Sequence, residues 1–211
     1  MLVIPSINVK NFRDFNKRLK EAEALGAKWA HVDVTDGKFT KTKLWNNSRE
    51  LKVKSLKLKV NLEAHLMVKN PDAVLGDWLK AGIKRIIVHV ESAKNIPAMA
   101  KKCRAKKAEL ALALKPDTPI EKVLPYRNFI KQVLVLSVVP GPAGQKFQKS
   151  QLRKIQSLRQ KMPSVKIEVD GGINLATAKL CKRAGADILV SAAYLFNSPN
   201  PRQAYKTLRK I

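Results

Sequence analysis

The chain has 211 residues, 45% of them hydrophobic, which suffices for one domain with a sizeable core and excludes a disordered chain. No apolar run approaches the roughly 18 residues of a membrane span, and the N-terminus lacks the basic start and cleavage site of a signal peptide. Lys and Arg number 42 against 16 Asp and Glu, a formal charge of +26, yet the lysines are spread over nearly all helical segments and aromatic residues are not interleaved with them. This pattern indicates a basic solvated surface and argues against specific nucleic-acid binding.

Eight short apolar runs, rich in Val, Ile and Leu and without strict alternation, are typical of strands buried on both faces of a parallel sheet. The candidate strands are Leu2–Ile7, Trp29–Val34, Val60–Met67, Arg85–Val90, Ala108–Leu114, Gln132–Val138, Lys166–Val169 and Asp187–Ser191.

Amphipathic patterns with apolar residues at spacings of three and four separate these runs. Helices are predicted at Asn11–Leu25, from Asn70-Pro71 to Gly82, after the cap Asp117-Thr118-Pro119, and at Leu152–Met162 and Asn174–Ala184. Eight strand–helix units favour the α/β class, as a single (β/α)8 TIM barrel over residues 1–211, rather than an open doubly wound sheet. Two long connections, Thr35–Asn47 and Val139–Lys149, both follow strands and are therefore expected at the catalytic face.

The three histidines stand near the C-terminal ends of the second, third and fourth candidate strands. His31 precedes Asp33 by two residues, and Glu63 precedes His65 by two, so each pair lies on one face of its strand. His89 has no carboxylate two residues before it, and we expect it to be structural.

A further carboxylate, Asp170, ends the seventh strand. Asp33 and Asp170 stand on strands that flank the first and eighth, so they can face each other across the barrel mouth, with His31 and His65 beside them. Buried carboxylates are costly unless they are paired or metal-bound. Two histidines and two carboxylates suit a divalent zinc, manganese, iron or cobalt ion better than magnesium, which prefers all-oxygen sites.

Small residues follow the last three strands, in Pro140–Gln145, Asp170–Asn174 and Ser191–Ala193. Such loops let backbone N–H groups approach an anion, and the loops after strands seven and eight are the usual phosphate site of these barrels. The residues expected to hold a phosphate are Gly141, Gly144, Gly171, Gly172, Ala192 and Ala193.

Taken together and in this order, the motifs resemble the ribulose-phosphate 3-epimerase family over nearly the whole chain. The matching segments are Ile4–Ile7, His31–Phe39, Glu63–Met67, Val88–Glu91, Pro140-Gly141 with Gly144-Gln145, and Glu168–Asn174. The resemblance implies a (β/α)8 barrel that interconverts D-ribulose 5-phosphate and D-xylulose 5-phosphate with a divalent metal ion.

The resemblance also implies roles for single residues. It implies a metal held by His31, Asp33, His65 and Asp170, with the two aspartates as acid/base groups. It places Ser6, His65 and Met67 beside the substrate. Inverting a carbon next to a carbonyl requires removing a proton from one face and returning one to the other, which two carboxylates on opposite sides of an enediolate can do.

The chain departs from the family pattern around the substrate. Family members usually have Met at Thr35, His at Lys38, Val-Pro-Asn-Ile-Thr within Thr40–Asn47, Met at Leu136, Gly-Phe-Gly-Gly at Gly141–Gly144 and Gly-Ser at Ala192-Ala193. The metal and proton-transfer set is complete, whereas the shell that encloses the substrate is altered. The reaction type therefore follows more firmly from the residues than the identity of the sugar.

Two alternatives stay open at this point. Changes at Thr35, Lys43–Trp45 and Ala143 suggest the same chemistry on another ketose phosphate, such as a hexulose 6-phosphate. The charge of +26 suggests a non-catalytic polyanion-binding barrel, although such a protein has no need of four costly polar groups in one mouth. Two isolated cysteines, Cys103 and Cys181, fit a reducing compartment, so we expect a cytoplasmic protein. A homo-oligomer is compatible with the sequence.

Overall fold

The computed structural model describes residues 1–55 and 58–211, in which eight parallel strands close into a barrel in chain order. The strands are β1 (Leu2–Ile7), β2 (Trp29–Thr35), β3 (Asn61–Met67), β4 (Arg85–His89), β5 (Glu109–Leu114), β6 (Gln132–Leu136), β7 (Lys166–Asp170) and β8 (Ile188–Ser191). Each strand pairs with the next, and β8 pairs with β1. The predicted barrel is confirmed, with strand boundaries within two residues of those expected.

Helices cover the outside of the barrel, packed against strands that are buried on both faces. The helices are α1 (Phe12–Ala24), α2 (Ser48–Ser55), α3 (Pro71–Lys80), α4 (Ile96–Ala105), α5 (Gln151–Lys161), α6 (Leu175–Ala184), α7 (Ala193–Phe196) and α8 (Pro201–Arg209). Among the described residues, no helix has the length and apolarity that crossing a bilayer requires.

Asparagine side chains begin several of these helices. Asn11 accepts a hydrogen bond from the backbone N–H of Asp14 at the start of α1. Asn174 and Thr177 form a reciprocal capping box at the start of α6. These caps satisfy backbone donors that have no partner within the helix, and they fix the point at which each loop ends.

The prediction of an α-helix after Asp117-Thr118-Pro119 is wrong. That segment forms two single 3-10 turns, Ile120–Lys122 and Leu124–Tyr126. Pro125 explains the difference, since it has no N–H to donate and its ring would clash with the preceding turn of a longer helix.

An aromatic cluster anchors the long loop after β2 to the outside of the barrel. The Trp45 ring lies 4.5 Å from Phe15 and 5.5 Å from Phe12 of α1, and 5.7 Å from Trp78 of α3 (ring centroids). The indole N–H of Trp45 donates to Glu50 at 2.6 Å. Trp45 thus packs into the core, away from the barrel mouth, and its departure from the family pattern reflects packing rather than substrate contact.

We predict that Cys103→Ser and Cys181→Ser leave turnover unchanged, because both thiols are buried in helices α4 and α6 outside the barrel. Burial raises the pKa of each thiol to about 12, so reactive thiolate is scarce at pH 8. Iodoacetamide should label neither cysteine in the native protein and both in urea, as read by mass spectrometry. Native-state labelling, or lost activity without unfolding, would contradict this placement.

Candidate active site

Four side chains converge at the C-terminal mouth of the barrel: His31 and Asp33 from β2, His65 from β3 and Asp170 from β7. Strand register sets Asp33 directly beside His65 on the neighbouring strand. One nitrogen or oxygen from each of the four residues lies within 4.8 Å of the others. The structure thus brings together all four residues that the sequence analysis assigned as metal ligands.

The spacing of these atoms fits a small cation. Nε2 of His31 is 3.3 Å from Nδ1 of His65, and Oδ1 of Asp33 is 3.4 Å from each nitrogen. Oδ2 of Asp170 is 3.9 Å and 3.8 Å from the same two nitrogens. Ligands about 2.0–2.1 Å from a tetrahedral ion stand roughly 3.3–3.4 Å from one another.

Asp33 Oδ1 provides a second indication. The atom is buried and accepts no hydrogen bond from the described residues, although a buried carboxylate oxygen is costly without a partner. A cation between the two histidines would supply that partner. The donor set therefore fits a divalent metal ion and can hold one.

Hydrogen bonds to buried neighbours orient both imidazoles. Nδ1 of His31 lies 2.8 Å from Oε1 of Glu63, which turns Nε2 toward the centre. Nε2 of His65 lies 2.9 Å from Nε2 of His89, and Nδ1 of His89 lies 3.1 Å from the Glu91 carboxylate. If Glu91 accepts from His89 and His89 accepts from His65, then Nδ1 of His65 keeps its lone pair for a cation.

His89 therefore lies outside the ligand cluster but in contact with it. The sequence analysis looked for a carboxylate two residues before His89, whereas the carboxylate stands two residues after it, at Glu91. Glu91 in turn accepts hydrogen bonds from the Thr118 hydroxyl and the Lys115 backbone N–H. Burial opposes ionisation, but these donors and His89 lower the pKa of Glu91 to about 2.

A polar layer underlies the cluster inside the barrel. Arg85 donates to Glu63 at 2.5 Å, and Gln132 donates to Glu168. Burial and the neighbouring Glu63 carboxylate raise the pKa of Glu168 to about 8, so Glu168 is mostly neutral at pH 7. On its buried side Arg85 thus faces one ionised carboxylate, that of Glu63, which keeps the interior of this layer close to electrical balance.

The four cluster groups share protons unequally when no metal is bound. Burial would lower the pKa of His31, but Asp33, Glu168 and Glu63 outweigh burial and raise that pKa well above its ordinary value. The two imidazoles hold the pKa of Asp33 well below its usual range despite burial. Burial lowers the pKa of His65 to about 4, whereas burial and the Asp33 charge raise the pKa of Asp170 to about 7.

The second oxygen of Asp33 is held by two neutral donors. Oδ2 accepts from the Ser6 hydroxyl at 2.8 Å and from the Asn8 amide at 3.0 Å. Ser6 was expected beside the substrate. Asn8 was missed by the sequence analysis because it lies just beyond β1 and carries no charge.

A cavity of about 490 Å³ opens above the cluster. The residues predicted to bind substrate that line it are Ser6, Met67, Gly141, Gly144, Gly171, Gly172, Ala192 and Ala193. His65, also predicted to bind substrate, lies buried beneath this lining. Asp33 and Asp170 both reach the cavity, from strands separated by β1 and β8. Lys146 and Lys149, which the sequence analysis did not assign, also line it.

Two of the loop glycines are required by packing. Gly171 has φ +107°, and a Cβ there would stand 2.6 Å from Cγ2 of Val138. Gly172 has φ +64°, and a Cβ there would stand 2.5 Å from the backbone nitrogen of Phe147. These two glycines therefore have a conformational cause, and they also leave room for an anion. Phosphate binding by these loops stays a prediction.

The departures from the family pattern fall in different places. The buried Thr35 hydroxyl donates to the Thr42 carbonyl and accepts from the Leu44 N–H, both at 2.7 Å, so it shapes the loop after β2. Trp45 packs in the aromatic cluster. Of the three changes that suggested a different sugar, Ala143 is the one that lines the cavity.

Known proteins share sequence with this chain over nearly its whole length. Residues 2–196 match the model of the ribulose-phosphate 3 epimerase family. The chain belongs to the ribulose-phosphate 3-epimerase family. The cytoplasmic isoform of ribulose-phosphate 3-epimerase from Oryza sativa subsp. japonica is 33% identical over 99% of this chain and 92% of its own length. Ribulose-phosphate 3-epimerase from Chlamydia trachomatis serovar D is 34% identical over 99% of this chain and 91% of its own.

Solved structures outside this family share the fold. The 3-hexulose-6-phosphate synthase of Salmonella typhimurium has a TM-score of 0.74 at 11% identity, covering 100% of this chain and 97% of that one. KGPDC from Streptococcus mutans, in complex with D-R5P, has a TM-score of 0.67 at 16% identity, covering 99% and 95%. At these identities the likeness concerns the barrel alone.

We predict that the protein binds one divalent transition metal ion and releases protons as it does so. Bound metal requires neutral His31 and ionised Asp170, whose raised pKa values keep protons there at neutral pH in the metal-free protein. Affinity should therefore rise with pH through about 7, by up to about tenfold per pH unit for each proton released. Calorimetry of Zn²⁺ and Mn²⁺ binding between pH 6 and pH 8, repeated in two buffers, measures the affinity and the number of protons released.

His31→Ala and His65→Ala should each weaken that binding. Glu109→Gln is the matched control, because Glu109 contacts Arg85 from the largely exposed side of the polar layer and touches no ligand. A pH-independent affinity, or histidine variants that bind as the parent does, would contradict this assignment.

Proposed function

We propose that this protein is a metal-dependent epimerase that interconverts D-ribulose 5-phosphate and D-xylulose 5-phosphate. The observation that carries the proposal is the pair Asp33 and Asp170, which reach one cavity from separate strands beside two oriented histidines. Family membership over residues 2–196 supports the same reaction.

Epimerisation at C3 needs one group to take a proton and another to give one. We assign these roles to Asp33 and Asp170, each acting as base for one epimer and as acid for the other. Asp33 is ionised at neutral pH, whereas Asp170 has a pKa raised to about 7 by burial and by the Asp33 charge. In the metal-free protein the two carboxylates therefore differ in protonation, with Asp33 ionised and Asp170 able to carry a proton near pH 7.

The metal ion would be zinc, manganese, iron or cobalt. Its ligands would be His31, Asp33, His65 and Asp170. Bound there, such an ion supplies Lewis-acid stabilisation of the negative charge that develops on the substrate oxygens. Met67, Leu136 and Val138 form an apolar part of the wall, which excludes water from the planar enediolate.

The phosphate would lie at the other end of the cavity. Backbone N–H groups around Gly141–Gly144, Gly171–Gly172 and Ala192–Ala193 are available there, and the exposed Lys146 and Lys149 add positive charge at the rim.

A hexulose 6-phosphate is the second candidate substrate, favoured by Ala143 in the cavity lining. A cytoplasmic location fits the two free buried cysteines.

We predict that metal-loaded protein in D2O places deuterium at C3 of ribulose 5-phosphate and forms xylulose 5-phosphate. Asp33→Asn and Asp170→Asn should each lower turnover at least about 100-fold, because each removes an acid/base group and a ligand together. NMR follows the label, and circular dichroism checks that the variants fold.

The same assay on a hexulose 6-phosphate separates the two candidate substrates. Faster deuterium exchange on the hexulose 6-phosphate would identify that sugar as the preferred substrate. An aspartate variant with near-normal epimerisation and normal metal content would rule out the two-carboxylate mechanism.

We also predict that kcat/KM falls as salt rises while kcat changes little, since a charge of +26 steers a dianionic substrate and is screened beyond about 8 Å at physiological ionic strength. Ala193→Ser should lower KM by supplying a hydroxyl hydrogen bond to the phosphate, worth about 1.5–3 kcal/mol. Lys149→Gln should raise KM and flatten the salt dependence.

Lys131→Gln is the matched control for Lys149→Gln, because the exposed Lys131 precedes β6 at the opposite end of the barrel. Steady-state kinetics from low to high salt give both parameters for all four proteins. An unchanged KM in Ala193→Ser and Lys149→Gln would place the phosphate elsewhere in the mouth.

A further inference from the structure

Asn8 stands between the Asp33 carboxylate and the loop after β6. Its side-chain nitrogen lies 3.0 Å from Oδ2 of Asp33 and 3.3 Å from the carbonyl oxygen of Gly141. An ionised carboxylate and a backbone carbonyl both only accept, so the amide must turn its NH2 group toward them. One hydrogen is then used on each side, and the amide joins the two partners.

A second contact fixes the same stretch of the loop. The Thr40 hydroxyl, in the loop after β2, donates to the Pro140 carbonyl at 2.8 Å. Two consecutive carbonyls, those of Pro140 and Gly141, are thus held by donors from two other loops. Gly141 fits closely against them: it has φ +144°, and a Cβ there would stand 3.0 Å from Oγ1 of Thr42.

Hydrogen bonds within the loop hold its residues together, so that fixing one part of the loop positions the rest. The Gln145 side-chain amide donates to the carbonyls of Val139 and Pro142, at 2.7 Å and 2.9 Å. Holding Pro140 and Gly141 therefore positions the whole turn from residue 139 to 145. That turn lines the cavity in which the substrate would lie.

We propose that Asn8 is a positioning residue that couples the seating of the loop after β6 to the orientation of Asp33. The inference rests on the proposed epimerase function for its kinetic consequences. When the loop is seated, Asn8 is fixed by Gly141 and presents its second hydrogen to Oδ2 of Asp33. Ser6 supplies the other hydrogen bond to that oxygen, so Oδ1 stays directed at the two imidazoles.

Three variants separate the parts of this arrangement. Thr40→Val loosens the loop without touching Asp33, Ser6→Ala removes a donor to Asp33 without touching the loop, and Asn8→Leu removes both links at similar side-chain size. Asn8→Leu should lower kcat about tenfold or more and raise KM, as expected for a lost hydrogen bond to a charged group. Thr40→Val should act mainly on KM.

Coupling is measured by combining the variants. In the parent, the effects of Ser6→Ala and Thr40→Val on kcat/KM should not multiply, because Asn8 links the two sites. In the Asn8→Leu background they should multiply. Multiplicative effects in both backgrounds, or an Asn8→Leu enzyme within twofold of the parent in kcat and KM, would overturn the proposal.

Hydrogen exchange tests the loop independently of turnover. Asn8→Leu should raise deuterium uptake in residues 139–149 while uptake in α4 and α5 is unchanged, and Asn8→Ala should act alike if Asn8→Leu proves unstable. Unchanged loop protection in a folded variant would refute the link. If the parent itself shows no C3 exchange, the epimerase proposal fails, and hydrogen exchange still decides whether Asn8 holds the loop.

Discussion

The central constraint on this barrel is the burial of ionisable groups inside it. His31, His65 and His89 are fully buried, as are Glu63 and Glu168. Such groups are costly in a low-dielectric interior unless each finds a partner. Hydrogen bonds with neighbouring side chains supply these partners except at two carboxylate oxygens of the described residues, Oε1 of Glu168 and, among the ligands, Oδ1 of Asp33. A divalent ion bound there would complete the balance at that position.

The compensation is arranged in two layers. In the lower layer, Arg85 and a largely neutral Glu168 surround Glu63. In the upper layer, oriented histidines and two aspartates face the cavity. Glu63 belongs to both layers, since it accepts from Arg85 and orients His31. Stability of the barrel interior and geometry of the site are therefore set by the same side chains.

Much of this arrangement follows from the sequence. Because parallel strands end at one face of a barrel, polar residues near those ends could be placed together before any coordinates were known. His31, Asp33, His65 and Asp170 were predicted on that basis and lie together. The helix after Pro119 was predicted wrongly, although Pro125 stood in the sequence as a reason against it.

Other features depend on contacts that spacing does not encode. Trp45 was assigned to the substrate shell because it departs from the family pattern, yet its ring packs beside Phe15 in the core. Asn8 was overlooked because its role arises from a loop more than a hundred residues away in the chain. Strand periodicity predicts which way a side chain points within a strand, but it does not predict which loops meet above the barrel.

The order of the ligands along the chain links the site to assembly of the barrel. His31, Asp33 and His65 come from two adjacent strands in the first third of the chain, whereas Asp170 comes from β7. An ion held by all four would fasten the early strands to the late ones across the ring. It would therefore act as a cross-link that forms fully only in the closed barrel, so that metal binding and closure of the fold would stabilise each other.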